Sequence, residues 1–194
     1  GLPVRQLSTS LAADHPLLVG AVPHRRCEAG QAWQWDGVRF EVLHPLAADH
    51  ALSLKSNALS CVLSVQGRAG GQATRLLLTG DIEAPQEAAL LARQQGGDAL
   101  RADWLLVPHH GSRTSSTAAF LAAVQPRAAV VQAGYRSRYG HPAADVLARY
   151  RQAGIAVQRS DDCGAWILPA QGEAMCQRHL VRRYWHHPGQ AAAP

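Results

Sequence analysis

The chain has 194 residues, of which 47% are hydrophobic and 17% are charged, a balance that excludes an intrinsically disordered protein and suffices for one domain with a hydrophobic core. No apolar run approaches the ~18 residues that a transmembrane helix needs, so the sequence predicts no membrane segment. The formal net charge is +5, and Lys55 is the only lysine. Arginine-borne positive charge suits a phosphate-rich partner, although a GC-rich genome would explain the arginines equally well.

Residues 31–79 predict antiparallel strands. Residues 31–43 (QAWQWDGVRFEVL) alternate between apolar and polar types around Asp36-Gly37, which is a strong signal for a β-hairpin. Residues 59–66 and 75–79 are strand-like and are joined by a glycine-rich turn, GRAGG. We therefore expect these two segments to form a further pair of strands.

From residue 84 onward the predicted helices and strands alternate. Helix signals cover 84–95, 115–124 and 142–153, with a proline near the start of the first and third and a serine cap on the second. Strand signals cover 102–107, 128–133, 155–158 and 165–168, the last two closing the sheet. This order predicts an α/β sandwich with its helices outside.

Three predicted strands end in side chains that can bind a metal or a phosphate. Asp81 follows LLLTG, His109 and His110 follow LLVP, and His141 follows the strand at 128–133. Carboxylates and neutral imidazoles are ligands for zinc and manganese. Because parallel strands place their carboxyl ends at one edge of a sheet, we expect these residues to converge. The alternatives are a helix-capping role for Asp81 and structural roles for the histidines.

Hydroxyl and guanidinium groups flank these strand ends. Ser112 and Ser115 would offer hydroxyls and backbone N–H groups to an anion at a helix start. Arg136 and Arg138 would hold phosphates. Further along, RHLVRRYWHH (178–187) interleaves basic and aromatic residues, which fits either nucleic-acid binding or a terminal strand with a solvated basic face.

The four cysteines lack the spacing of a zinc site. Cys163 and Cys176 flank a predicted hairpin, Cys27 precedes one strand pattern, and Cys61 lies in another. One interpretation is two disulfides formed in an oxidising compartment, and the other is four buried thiols.

Together these motifs resemble the metallo-β-lactamase superfamily and, within it, the C-terminal domain of ComEC-type DNA uptake proteins. The match rests on SNALSCVL (56–63), LLLTGD (76–81), LLVPHHGSRTSS (105–116) and AGYRSRYGHP (133–142). GAW (164–166) and RRYWHH (182–187) fit as well. The match runs from about Cys27 nearly to the C-terminus, and the combination is more specific than any one motif.

The resemblance implies an αββα sandwich in which a two-metal site, holding zinc or manganese, hydrolyses phosphodiesters. Asp81 would be the bridging carboxylate and His110 a metal ligand. His109 would face the substrate or support the metal ligands from behind, and His141 would assist at the phosphate or a leaving oxygen. Where many relatives have a further metal-binding histidine, this sequence has NALS (57–60), which places Asn57 or Ser60 near the site.

One departure from the family pattern matters. The main metal motif, HxHxDH or HxDxDH, is absent, because AADH at 12–15 and at 47–50 lacks the first ligand. We therefore expect a fragment, with residues 1–189 as the C-terminal part of the domain and 190–194 as a disordered tail. Such a fragment would hold at most half of the metal ligands, so we expect weak or no metal binding and no catalysis by this chain alone.

The resemblance also implies a parent protein and its surroundings. The parent would be a bacterial inner-membrane DNA uptake channel with this domain on the periplasmic side. Its partners would be DNA, the rest of the channel and the preceding part of the domain. The alternatives are a non-catalytic DNA-guiding module with a degenerate metal site, and another hydrolase of the same superfamily, such as a choline-phosphate esterase.

Overall fold

The structure is a computed structural model that describes residues 3–20, 22–69, 71–93, 97–170, 173–181 and 183–184. The strands are Leu7–Thr9 (β1), His24–Arg26 (β2), Ala32–Trp35 (β3), Val38–His44 (β4), Val62–Ala69 (β5), Gln72–Leu78 (β6), Trp104–Leu106 (β7), Ala128–Val131 (β8), Ala156–Arg159 (β9), Trp166–Ile167 (β10) and Met175–Cys176 (β11). The α-helices are Ala84–Arg93 (α1), Ala118–Val124 (α2), Ala144–Gln152 (α3), Ser160–Cys163 (α4) and Gln177–Leu180 (α5).

The main sheet has seven strands in the order β3-β4-β5-β6-β7-β8-β9. Strands β3 to β6 are antiparallel, and β6 to β9 are parallel. The predicted hairpin is confirmed, with Asp36 and Gly37 at φ values of 48° and 75°, as a tight two-residue turn requires. The sheet therefore changes from antiparallel to parallel at β6, where the sequence pattern changes.

The hydrophobic core lies on one face of this sheet, under α1, α2 and α3. The strands contribute Val62, Leu77, Leu105, Ala129 and Val131, and the helices contribute Leu90, Phe120, Leu121, Val124, Val146 and Tyr150. Each of these helices connects two neighbouring parallel strands, which is why all three lie on the same face. The predicted α/β class is confirmed.

The opposite face of the sheet carries an apolar row that is only partly covered. Directly paired positions on five strands place Trp33, Phe40, Val65, Leu76 and Trp104 in line. The rings of Trp33 and Phe40 stack at 5.2 Å, yet Trp33 is 44% exposed. The described residues thus leave this row partly buried on β4 to β7 and exposed at Trp33 on β3.

Several sequence predictions need correction. The segment at 165–168 does not close the main sheet: β10 pairs with β11 in a separate hairpin, and Trp166 packs on Trp104. Helix α2 is capped by Thr117, whose hydroxyl accepts from the Phe120 N–H, rather than by a serine. Residues 178–180 belong to α5, so the terminal strand predicted as one alternative for 178–187 is wrong over this part of the segment.

Some features of the chain were not predicted, and some predicted segments are not described by the structure. Strands β1 and β2 form a small parallel pair that the sequence analysis missed. Residues 190–194, and most of RRYWHH, lie outside the described residues. None of the helices that the structure describes is long and apolar enough to cross a membrane.

Candidate functional site

The loops that follow β6, β7 and β8 meet at one edge of the sheet. The His109 N–H donates to Gly80 O at 3.1 Å, which joins the first loop to the second. The Ala143 N–H donates to Gly111 O at 2.9 Å, which joins the second to the third. Asp81, the two adjacent histidines and His141 are therefore brought together, as the strand order predicted.

The turn at His109-His110-Gly111 has an uncommon backbone conformation. All three residues have positive φ, at 49°, 54° and 78°. A left-handed conformation costs a non-glycine residue about 1–2 kcal/mol, so two consecutive histidines in it store strain. The sharp turn separates the two imidazoles, which have different hydrogen-bond partners.

The His110 imidazole lies against Asp81. Its Nδ1 is 2.9 Å from Gln132 O, and because a carbonyl only accepts, Nδ1 carries the proton. Its Nε2 is 3.5 Å from Asp81 Oδ1. A histidine held through one nitrogen by a backbone carbonyl, with the other nitrogen free for a cation, is the usual arrangement of a metal ligand.

The His109 imidazole is held on both sides. Its Nδ1 is 3.2 Å from Glu83 Oε1, and the Asn57 amide Nδ2 is 3.2 Å from its Nε2. Since a carboxylate accepts and the amide NH₂ donates, this pattern fits a ring with its proton on Nδ1. Glu83 was missed by the sequence analysis, although it lies two residues after Asp81.

Ser60 anchors the turn that carries Asp81. The Asp81 N–H donates to Ser60 Oγ at 3.1 Å. Gly80 has a φ of 56°, and a Cβ there would lie 3.0 Å from Ser60 Cβ. Residues 57 and 60 therefore both contact the site, Asn57 through His109 and Ser60 through the Asp81 backbone.

His141 lies beside this pair of histidines. Its ring centroid is 6.1 Å from that of His109. Its Nδ1 is buried and has no hydrogen-bond partner among the described residues. Burial, together with the proximity of His109 and His110, lowers the pKa of His141 below its usual value, which favours the neutral imidazole.

A cavity of about 500 Å³ opens next to these histidines. Its lining includes His110, Ser137, Tyr139, His141 and Ser160. The same β8–α3 loop carries Arg136 and Arg138, both exposed. The two predicted phosphate-binding arginines thus belong to the loop that borders the cavity.

The predicted serines lie inside the loop rather than at its surface. Ser115 is fully buried, and its hydroxyl donates to Pro108 O at 2.8 Å. Ser112 Oγ contacts Thr114 Oγ1 at 3.1 Å, and Thr114 Oγ1 lies 3.4 Å from His109 Nδ1. These contacts make Ser115 a structural residue and connect Ser112 indirectly to His109.

Glu87 fills the position that the sequence analysis assigned to a bound anion. Its carboxylate is fully buried and accepts the backbone N–H groups of Ser116 and Thr117 at the start of α2. Arg149 donates to the carbonyls of Ser115 and Ser116 from the other side. The predicted anion site at this helix start is therefore wrong, because a side chain of the protein occupies it.

Two disulfides are present. Cys27 is bonded to Cys61, with Cα atoms 6.0 Å apart, and Cys163 to Cys176, with Cα atoms 4.7 Å apart. The disulfide interpretation is confirmed over that of four thiols. The first bridge lies at the start of β5, next to Ser60, and the second links α4 to β11.

The metal-binding side chains at the carboxyl ends of these strands fit part of a metal site. One imidazole and one carboxylate are adjacent, but within the described ranges no group of three His, Cys, Asp or Glu side chains could hold an ion. A catalytic zinc site uses three protein ligands. Asp81 and His110 can therefore supply two ligands, and any further ones would come from elsewhere.

Curated relatives align with most of this chain, and no family model matches it. It is 44% identical over 163 residues to "Competence protein ComA" of Neisseria gonorrhoeae, which covers 83% of this chain and 22% of that protein. It is 35% identical to "ComE operon protein 3" of Bacillus subtilis, covering 70% and 16%. "Recombination protein 2" of Haemophilus influenzae is 33% identical, covering 69% and 16%. The chain thus spans about a fifth of the length of these relatives.

Two solved structures are also similar. One is a candidate Zn-dependent hydrolase of the metallo-beta-lactamase superfamily from Thermotoga maritima (15% identity, TM-score 0.39, covering 74% of this chain and 68% of that one). The other is a possible metal-dependent hydrolase from Veillonella parvula (12% identity, TM-score 0.43, covering 88% and 66%). On the strength of the curated relatives, the resemblance to ComEC-type proteins is confirmed, and the chain belongs to this family of competence proteins.

Proposed function

We propose that this chain is one part of a metal-dependent hydrolase that cleaves phosphodiester bonds of DNA during uptake. The observation that carries the proposal is the meeting of Asp81, His109, His110 and His141 at one sheet edge, with His110 Nε2 facing Asp81. Carboxylate and imidazole donors at the ends of parallel strands suit a site that binds metal and phosphate. The resemblance to DNA uptake proteins suggests DNA as the substrate class to test.

In this proposal Asp81 and His110 hold zinc or manganese. A two-metal site would activate water and neutralise the leaving oxygen. Gln132 O orients His110, and Ser60 fixes the Asp81 backbone. Since these residues are two donors only, the remaining ligands would come from the segment that precedes this chain in its parent.

The other polar residues would act on the substrate. Neutral His141 would exchange a proton or a hydrogen bond with a phosphate oxygen. Glu83 and Asn57 fix the orientation of His109, with Asn57 beside the ring edge that faces away from the carboxylate. Arg136 and Arg138 would bind backbone phosphates at the cavity border.

The partly exposed second face of the sheet supports the proposal that a further part of the sandwich packs there in the parent protein. The part of the apolar row that Trp166 does not cover, from Trp33 to Leu76, would be covered by the preceding part of an αββα sandwich. The same part of the sandwich would bring the absent metal motif to the site. The preceding segment and the rest of the channel are therefore the proposed protein partners.

We place the domain on the periplasmic side of an inner-membrane protein. The support is the pair of disulfides, since such bonds persist in oxidising compartments and are rare in the cytosol.

A non-catalytic DNA-guiding module is the second candidate function. The observation that favours it is the donor count, two adjacent side chains where a catalytic zinc site needs three. In that case the arginines and the cavity would bind DNA, and the preceding segment would contribute no ligands.

A cleavage assay separates the two candidates. Labelled DNA would be incubated with Mn²⁺ or Zn²⁺ and either this chain alone or a protein that also carries the preceding segment of the parent. We expect cleavage by the longer protein, abolished by Asp81→Asn and by a chelator, and none by the chain alone. The exposed Asp98→Asn is the control variant. Absence of cleavage by the longer protein would favour the guiding module. Cleavage by the chain alone would contradict the proposal that Asp81 and His110 need further ligands from the preceding segment.

A further inference from the structure

The loop between β8 and α3 carries two exposed tyrosines, of which Tyr139 lines the cavity. Tyr135 is 50% exposed and Tyr139 is 67% exposed, so both rings can meet a ligand from solution. The sequence there, YRSRY, sets each tyrosine next to an arginine. In the proposed function the arginines bind phosphates, whereas the tyrosines have no role.

Each tyrosine ring is paired with an arginine. The Arg136 guanidinium carbon lies 5.3 Å from the Tyr135 ring centroid, and that of Arg138 lies 4.8 Å from the Tyr139 ring. Arg138 Nη2 also donates to the Tyr139 hydroxyl at 2.7 Å. In each pair the guanidinium lies over one face of the tyrosine ring, so a positive charge and a π surface occur together, which is the combination that binds unpaired nucleotides.

The backbone holds the loop in a defined shape. The Ser137 N–H donates to Gly134 O at 3.1 Å, and the Gly140 N–H donates to Ser137 O at 3.0 Å, so two consecutive turns present the tyrosines. The Tyr139 ring is nearly parallel to the His141 ring, at 22° with centroids 6.2 Å apart. Tyr139 therefore extends the aromatic surface from the histidines to the cavity border.

We propose that Tyr135 and Tyr139 form a stacking platform for the bases of an unpaired DNA strand, so that the site prefers single-stranded over duplex DNA. The inference rests on the proposed function, because it assumes DNA at this edge. Bases within a duplex are already stacked on each other and offer no face to a tyrosine, whereas phosphates are available in both forms. The tyrosines thus supply the preference, and Arg136 and Arg138 supply affinity for both forms.

Fluorescence anisotropy with three labelled probes of equal phosphate number tests this on the full chain. The probes are a thymidine oligonucleotide, a duplex, and an abasic single strand. We expect the double variant Tyr135→Leu/Tyr139→Leu to weaken binding of the thymidine strand about tenfold or more and to leave the abasic strand and the duplex within about twofold. Tyr139→Phe keeps the ring and should retain wild-type affinity.

Trp35→Leu is the matched control, because Trp35 is an exposed aromatic residue (69%) on β3, the edge strand that four other strands separate from β8. An equal loss of affinity for all three probes in the tyrosine variant would overturn the proposal, since it would mean that the tyrosines only hold the arginines in place. Unchanged binding of all three would overturn it as well, while leaving DNA binding at this edge intact. If the wild-type chain binds none of the probes, both the platform and DNA as the substrate of this edge are wrong.

Discussion

Gly111 and Pro142 are in such close contact that no side chain fits between them. A Cβ on Gly111 would lie 2.6 Å from Pro142 Cβ and 3.1 Å from its Cα, and Gly111 has a φ of 78°. The contact joins the loop of His109 and His110 to the loop of His141. The relative placement of the histidines therefore depends on the absence of a side chain at residue 111.

Replacing this glycine should disturb both loops. We expect Gly111→Ala to lower the free energy of unfolding by about 2–4 kcal/mol, because it adds a steric clash and an unfavourable φ. Gly134→Ala, where a Cβ would meet nothing within 4 Å, should change it by less than about 0.5 kcal/mol. Urea denaturation measures both, and equal stability of the two variants would show that the contact is unimportant.

Glu87 is expected to be a main structural support of the histidine loop. Glu87→Ala removes the acceptor of two backbone N–H groups, each of which then costs about 1–3 kcal/mol if left unsatisfied. We expect a total loss of about 3 kcal/mol or more in urea denaturation. Glu41→Ala, which breaks a largely exposed ion pair with Arg39, should cost less than about 1 kcal/mol. A similar small loss for Glu87→Ala would contradict the assigned role.

His44 should make the stability of the protein depend on pH. Its side chain is buried, and burial is the largest cause that lowers its pKa below 6.5, with Arg93 adding to the effect and the hydrogen bond to Ala58 O opposing it. Below about pH 6.5 the unfolded chain therefore binds a proton that the folded chain does not, so stability falls as the pH falls.

Unfolding of the wild type and of His44→Gln would be compared between about pH 8 and about pH 5. The glutamine amide can keep the hydrogen bond to Ala58 O but does not titrate. We expect the variant to lose less stability than the wild type over this range. Parallel pH profiles of the two proteins would argue against a pKa shift at His44.

The two disulfides should be quantitatively formed and should differ in their contribution. Thiol titration of the unreduced, denatured protein should find no free thiols, whereas four would contradict the structure. The loops closed by the bonds span 34 and 13 residues, so loop-closure entropy predicts about 4 kcal/mol for Cys27–Cys61 and about 3 kcal/mol for Cys163–Cys176. Paired Cys→Ser variants in thermal unfolding measure the difference.

Much of the site could be predicted from the sequence because strand ends carry positional information. A buried run such as LLV followed by Pro108 marks where a strand stops, and the parallel order of β6, β7 and β8 then brings Asp81 and the histidines together. The Asp36-Gly37 turn was predictable for a similar reason, since its conformation needs those residue types.

Side-chain direction inside the loops could not be predicted. Ser115 follows a turn and precedes a helix, which is typical of a cap, but packing buries it and leaves the capping to Thr117. Glu87 has the sequence context of a solvent-facing helical residue, and only the approach of α2 turns it into a buried acceptor. The two-residue strands β10 and β11 are too short for a periodic signal, so their separation from the main sheet was missed.

The pairing of Asp81 with His110 at a shared metal position is the central claim. It is tested most directly by titrating Mn²⁺ into the full chain up to a large excess and following the line widths of the histidine ring signals by NMR. We predict that the His110 signals broaden at the lowest Mn²⁺ concentration, before those of histidines outside the Asp81, His109, His110 and His141 cluster, and that Asp81→Asn abolishes the selectivity. Selective broadening that persists in Asp81→Asn, or uniform broadening of all histidines in the wild type, would contradict the account.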